Sequence, residues 1–466
     1  MRQLIALCTI ALVVRGADPG RAAGDDWPRF GWDVARSSAS VAPTRIDAAS
    51  LGALRRQRVT LPGTVDASPI YLRGARVAGG THDVFFVTTT YGKTLAIDAG
   101  DGAILWTYTP PGYDEWARSA RITNATPVAD PDRAHIYAAS PDGRIQKLAV
   151  EDGRAVWRTA VTTLPKREKI ASSLNYFHGR IVATTGGYIG DAPPYQGHVA
   201  LLDAASGRLL RVWNSLCSDR RELIDPSSCS ESGSAIWGRA GAVIDSATGA
   251  ILVATGNGRW DGRTNWGDAT IVLDSTATEM LGNYTPTNTE ELSSSDADLG
   301  STSPVLLGGD LVAQGGKDGT IRLLDLRKMR GREPHRGGEA QTVRTPSGGD
   351  LFTAPAVLHQ GGRTWMFAAD DGGTAAWTLD GGQLRQAWRN HNGGTSPVVA
   401  GGLLYVYDPD GGLRVYQPES GRQLGKLDCG DGHWNSPIVV DGRIALPEGS
   451  ANDHRTTGVL DIWRLP

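Results

Sequence analysis

Hydrophobic positions fall in short runs, many alternating with polar residues and each bounded by glycine, asparagine or aspartate. Alternation at a period of two between turn residues predicts β-strands with one face against a neighbouring sheet. One unit shows the order of parts. A small residue and a proline (Ser68-Pro69) lead into an apolar strand, followed by the strand DVFFVTTT, the strand TLAIDA, a GDG turn, and AILWTYT, which carries Trp106.

The opening pair recurs at Thr126-Pro127, Ser303-Pro304, Ala354-Pro355, Ser396-Pro397 and Ser436-Pro437, with degenerate equivalents near Ser173-Leu174 and Gly241-Ala242. Eight anchors spaced on average about 53 residues apart are the signature of a propeller or a solenoid. The closing half of the unit, a strand, Asp, a Gly turn and a strand with Trp, repeats up to Trp157, Trp213 and Trp388. Four antiparallel strands per unit and eight units predict an all-β, eight-bladed β-propeller, in which radial closure protects the sheet edges. The last unit runs out of chain with three strands, while LGALRRQRVTL (51–61) has no hairpin partner nearby. Pairing of N- and C-terminal strands in one blade is therefore expected to close the ring. The stretch DDWPRFGWDVARSSAS (25–40) reads as an irregular lead-in. Two stretches, 215–235 and 326–350, break the rhythm and read as loop insertions, a common position for binding residues on a repeat scaffold.

Composition narrows the class. The chain has 466 residues, Gly 60 and Pro 25, and a net charge of −3, which gives no reason to expect a nucleic-acid or membrane-surface partner. Met1-Arg2, the apolar run Leu4 to Val14 and the small residues around Ala22 read as a secretory signal over 1–24, with the propeller over 25–466. That run is shorter than the ~20 residues needed to cross a bilayer, so no transmembrane segment is expected, and the protein is expected in the periplasm or outside the cell. Export suits a disulfide between Cys217 and Cys229, which flank a polar loop; the alternative for each is a small buried hydrophobe. Cys429 is left over and expected to be buried.

The candidate chemistry centres on Trp237 to Asp298. An indole (Trp237), a Thr-Gly-Asn turn ending at Asn257 and a carboxylate (Asp298) each follow a predicted strand, and Lys317 follows in GGKDG. No Cys-x-x-Cys-His, Gly-x-Ser-x-Gly, Walker loop or His-Glu-x-x-His occurs. By themselves these residues also serve as blade-packing and turn residues.

The repeat and this stretch together resemble the quinoprotein propeller family, which includes dehydrogenases using pyrroloquinoline quinone (PQQ) and non-catalytic relatives such as the outer-membrane assembly lipoprotein. The resemblance implies PQQ against Trp237, with Lys317 on the quinone oxygens. It implies Ca²⁺ held by Asn257 and Asp298, and Asp298 as catalytic base with Asp296 as its near competitor. The adjacent cysteine pair of many relatives is missing, with ARITNATP (120–127) in its place, and the calcium Glu has no clear match beyond Asp191 in GGYIGDAPPYQG. The implied function is a PQQ-binding oxidoreductase that oxidises an alcohol-type substrate and passes electrons to a separate acceptor. The alternative is a non-catalytic scaffold or recognition module with a protein partner.

Overall fold

The computed structural model describes residues 26–466; the signal segment expected over 1–24 lies outside them. Eight antiparallel sheets follow one another around an axis, each containing four antiparallel strands. In the first blade these are Ile70–Val77, Gly80–Thr88, Thr94–Asp98 and Ile104–Tyr108, innermost to outermost. The second to seventh blades repeat that order, beginning at Val128, Asn175, Val243, Val305, Ala356 and Val398.

The strand pattern differs from simple alternation for a physical reason. Each sheet lies between two others, so its middle strands lose both faces to packing: Val84, Phe85, Phe86 and Val87 are all fully buried. Buried runs are continuous there. Alternation survives on outer strands such as Gln341–Arg344, which face solvent on one side.

The repeated tryptophan joins neighbouring blades. Trp106 donates its indole N–H to the Val150 carbonyl of the second blade (2.9 Å), Trp157 to Ala204 of the third (3.2 Å), and Trp388 to Pro418 of the seventh (2.7 Å). Each indole covers a glycine turn of that next blade. At Gly153, with φ of +71°, an added Cβ would lie 2.6 Å from the Trp106 ring, so the turn needs glycine both for its conformation and for this close approach.

The ring closes through strand Arg55–Leu61, which pairs along its whole length with Gly458–Arg464. The eighth blade thus takes its outermost strand from the N-terminal part of the chain. Arg56 bonds both Asp461 (2.6 Å) and Glu448 (2.7 Å), and Arg58 bonds Glu448 (2.6 Å), while Val59 and Leu61 are buried.

The lead-in is irregular as expected, but it is not a loose approach to the fold. Residues 26–46 cross the end of the ring and bond to seven blades. Trp27 pairs with Tyr71, Ala129 donates to Pro28 O, Arg29 to Asn175, Ile244 to Val34 O, Val357 to Ser37 O, Val399 to Ser38 O, and Gly442 to Thr44 O. Phe30 packs on the axis against Ala240 and Ala354, and buried Arg36 donates to the carbonyls of Phe30 and Leu174. Hydrogen bonding here is scattered among blades, which is why no periodic pattern marks it.

The two insertions also need adjustment. In the first, Cys217 and Cys229 are joined, with Cα atoms 6.3 Å apart. In the second, Gln341–Arg344 is the outermost strand of the fifth blade, so the true insertion is shorter than 326–350. Cys429 is only partly buried, packed beside the closing blade.

If the Arg55–Leu61 strand closes the ring by burying its apolar face, Leu61→Ala lowers unfolding stability by about 2–5 kcal/mol. The exposed Arg55→Ala changes it by less than about 0.5 kcal/mol. Urea unfolding of both variants checks the contrast.

Candidate functional site

Every blade begins at the axis, and the residues just before its innermost strand project towards the centre. Trp237, Phe352 and Trp434 hold such positions before the fourth, sixth and eighth blades. Their ring centroids are 6.0 Å (Trp237 to Phe352), 6.0 Å (Trp237 to Trp434) and 6.3 Å (Phe352 to Trp434) apart, with planes 30° to 44° apart. They wall a cavity of about 590 Å³. Trp237, Asn257, Asp296, Asp298, Lys317 and Asp191 all line it.

Four of these residues form one interlocked corner. Asp298 accepts from the Asn257 backbone N–H (2.6 Å) on one oxygen and pairs with Lys317 Nζ (2.5 Å) on the other. Lys317 also reaches the Asp296 carboxylate (3.1 Å) and backbone carbonyl (3.0 Å), and lies 5.5 Å from the centre of the Trp237 ring. The Asn257 amide donates to Asp296 (2.6 Å). Gly256 makes room for this, because a methyl there would collide with the Asp298 carboxylate and crowd the Trp237 indole nitrogen.

Charge in this corner is tightly balanced. Burial pushes the Asp298 carboxyl above its ordinary range, with Lys317 opposing. Burial also opposes the charge on Lys317, but Asp298 and Asp296 outweigh it and raise its pKa. Behind Asp298, burial pushes Asp268 up to about 8, the Leu299 N–H opposing and the Asp298 charge adding, which favours the protonated form of Asp268.

A planar aromatic ligand and a hard cation can be tested against these groups. The three rings and the cavity volume suit the first. For the second, Asn257 Oδ1 is buried without a hydrogen-bond donor, beside two carboxylates, which is the oxygen chemistry that Ca²⁺ requires. A cation would share Asp298 with Lys317 or displace it. Asp191 lines the cavity from an exposed left-handed turn (φ +46°), and no cluster of three His, Cys, Asp or Glu side chains close enough to hold a metal occurs among the described residues. Further oxygens must come from that turn or from a ligand.

Several lining residues are not singled out by the sequence motifs: Asn124, Lys169, Tyr195, Phe352, His433 and Trp434. A signal for three of them exists. Asn124, Phe352 and Trp434 each stand three positions before the anchor proline of their unit.

An eight-bladed propeller with an axial cavity of aromatic rings, carboxylates and lysine defines a quinoprotein-type propeller. The family model described as outer membrane protein assembly factor BamB matches residues 48–328, more than half of the chain, and the chain belongs to that PQQ-repeat family. It is similar to polyvinylalcohol dehydrogenase of Sphingopyxis sp. (strain 113P3), 25% identical over 206 residues, covering 41% of this chain and 30% of that one. The chain thus matches less than a third of that relative's length. Among solved structures it resembles quinohemoprotein alcohol dehydrogenase from Comamonas testosteroni, with TM-score 0.69 and 18% identity over 95% of this chain and 81% of that one. It also resembles a europium-containing methanol dehydrogenase, with TM-score 0.68 and 15% identity over 95% and 98% of the two chains. At such identities these structures speak to the fold.

The packing of Asp298 on Gly256 is open to a direct check. Gly256→Ala costs about 1–3 kcal/mol by forcing the carboxylate aside, whereas Gly52→Ala, with open space around it, is near neutral. Equal stability of the two variants in urea would contradict this packing.

Proposed function

We propose that the protein is an exported PQQ-binding oxidoreductase that oxidises an alcohol-type substrate with the help of Ca²⁺. The observation that carries this reading is the meeting of Trp237, Asn257, Asp298 and Lys317, widely separated in sequence, in one axial cavity walled by three aromatic rings. When bound, PQQ would supply the hydride acceptor and Ca²⁺ the Lewis acidity that polarises it. Trp237 would hold the planar face of the ligand, and Asn257 with Asp298 would hold the cation, Asp191 adding an oxygen from its turn.

Asp298 would take the hydroxyl proton of the substrate. Burial has already raised its proton affinity, which suits a general base working near neutral pH. Lys317, positioned at both Trp237 and Asp298, would stabilise negative charge developing on the ligand's oxygen. Electrons would leave to a separate carrier. The signal-like residues 1–24 support action in the periplasm or outside the cell.

The BamB description of the matching family supports a second reading, a non-catalytic scaffold with a protein partner. Quinone binding separates the two. Thermal unfolding of the purified protein should shift upward with PQQ in a calcium-dependent way, by about 2.7 kcal/mol of stability at a hundredfold excess over Kd, and Asn257→Ala should lose the calcium dependence. No shift at saturating PQQ would favour the scaffold. If Asp298 is the base, Asp298→Asn should still bind PQQ but lose about 10²–10⁴-fold in turnover with an artificial acceptor.

A further inference from the structure

Away from the Asp298 corner, the same cavity is lined by a lysine that makes no direct ion pair among the described residues. Lys169 lines the cavity and is only 9% exposed, yet no group among the described residues accepts a hydrogen bond from its ammonium. Arg239, 3% exposed, lies close enough for its charge to oppose that of Lys169. One of its terminal nitrogens, Nη2, donates to the backbone carbonyls of Asp66 (2.9 Å) and Trp434 (3.4 Å), while Nε and Nη1 are buried without partners. The guanidinium lies 4.9 Å from the centre of the Trp434 ring.

The carboxylate nearest to these cations is already engaged. Asp66 accepts from His433 Nδ1 (2.7 Å), Asn124 Nδ2 (2.9 Å) and the backbone N–H groups of Trp434 (2.9 Å) and Ala451 (3.1 Å). Burial pushes Lys169 down to about 8, Arg239 adding to the shift and Asp66 opposing it. Arg239 Nε and Nη1 are buried donors without acceptors, which is costly. Such an arrangement persists when a bound anion completes it, and a cavity with aromatic walls limits which anion.

We propose that Lys169, with Arg239 behind it, is the receptor for a carboxylate borne by a planar aromatic ligand lying along Trp237 and Trp434. The inference deepens the quinone reading and rests on it, because PQQ is an aromatic polycarboxylate. It adds a requirement of its own: the site selects its ligand by negative charge at the end remote from Asp298 and Lys317. Neither residue belongs to the Trp237, Asn257, Asp298 and Lys317 constellation.

The test is Lys169→Met, which keeps the apolar stem and removes the charge. Binding of PQQ and of its trimethyl ester is followed by quenching of tryptophan fluorescence in the presence of Ca²⁺, and the ligand-free proteins are compared by thermal unfolding. Wild type should bind the free acid about tenfold or more tightly than the ester, as expected for a charge-assisted hydrogen bond. The variant should lose that preference while binding the ester as wild type does. Ligand-free Lys169→Met should be at least as stable as wild type, since Lys169 makes no direct ion pair that the substitution would break.

An unchanged acid-to-ester ratio, or a variant that unfolds at lower temperature, would overturn the proposal. If wild type binds neither quinone, the quinone reading falls, and benzene-1,3,5-tricarboxylate becomes the probe. Stabilisation of wild type but not of Lys169→Met would then still support the receptor. No stabilisation of wild type would overturn it.

Discussion

The contact on which the ring depends is an outer side chain of one blade lying on the glycine turn of the next. Trp106 covers Gly153, Trp157 covers Gly207 and Trp388 covers Gly421. The same contact closes the circle in altered form, since a Cβ on Gly102 would lie 2.6 Å from both Gln57 and Val59 of the closing strand. An indole is wide enough to span the gap between diverging sheets and carries an N–H that satisfies a carbonyl across it. Repeating the contact sets the angle between blades, and the strand Arg55–Leu61 completes the circle by pairing with Gly458–Arg464.

This radial order also positions the site. Innermost strands begin at the axis, so residues ahead of each anchor converge without being close in sequence. The cavity therefore draws on several blades, and the N-terminal strap crosses the other end of the ring. Trp237, Phe352 and Trp434 can wall one cavity because their blades place equivalent positions around one centre.

Much of this was legible in the chain. Eight anchors, the Asp, Gly turn and Trp unit, and the unpaired strand near residue 55 are all local patterns that the three-dimensional repeat preserves. Trp237, Asn257, Asp298 and Lys317 were legible because their motifs resemble those of a family. What escaped is physical in origin. The strap over 26–46 bonds to seven blades at irregular intervals and carries buried Arg29 and Arg36, a combination that in sequence looks like a polar loop. Lys169 precedes a unit whose anchor lacks proline, and Arg239 lies just beyond the indole of another, so nothing in the repeat marks either cation. Phe352 and Trp434 were readable only by comparing the same register across all units.

The electrostatics of the cavity then become intelligible. One corner sets carboxylates against Lys317, and another holds Lys169 and Arg239 without a direct ion pair among the described residues, their nearest carboxylate, Asp66, being engaged by His433 and Asn124. Aromatic rings lie between, with a cation against each of two indoles. Such a cavity has the shape and charge that the proposed flat ligand with distinct ends requires. The most direct measurement is a crystal structure of the protein soaked with PQQ and Ca²⁺. The account predicts the tricyclic ring stacked on Trp237, a cation within reach of Asn257 Oδ1, and a ligand carboxylate at Lys169. Density for PQQ elsewhere, or none in the axial cavity at saturating concentration, would contradict it.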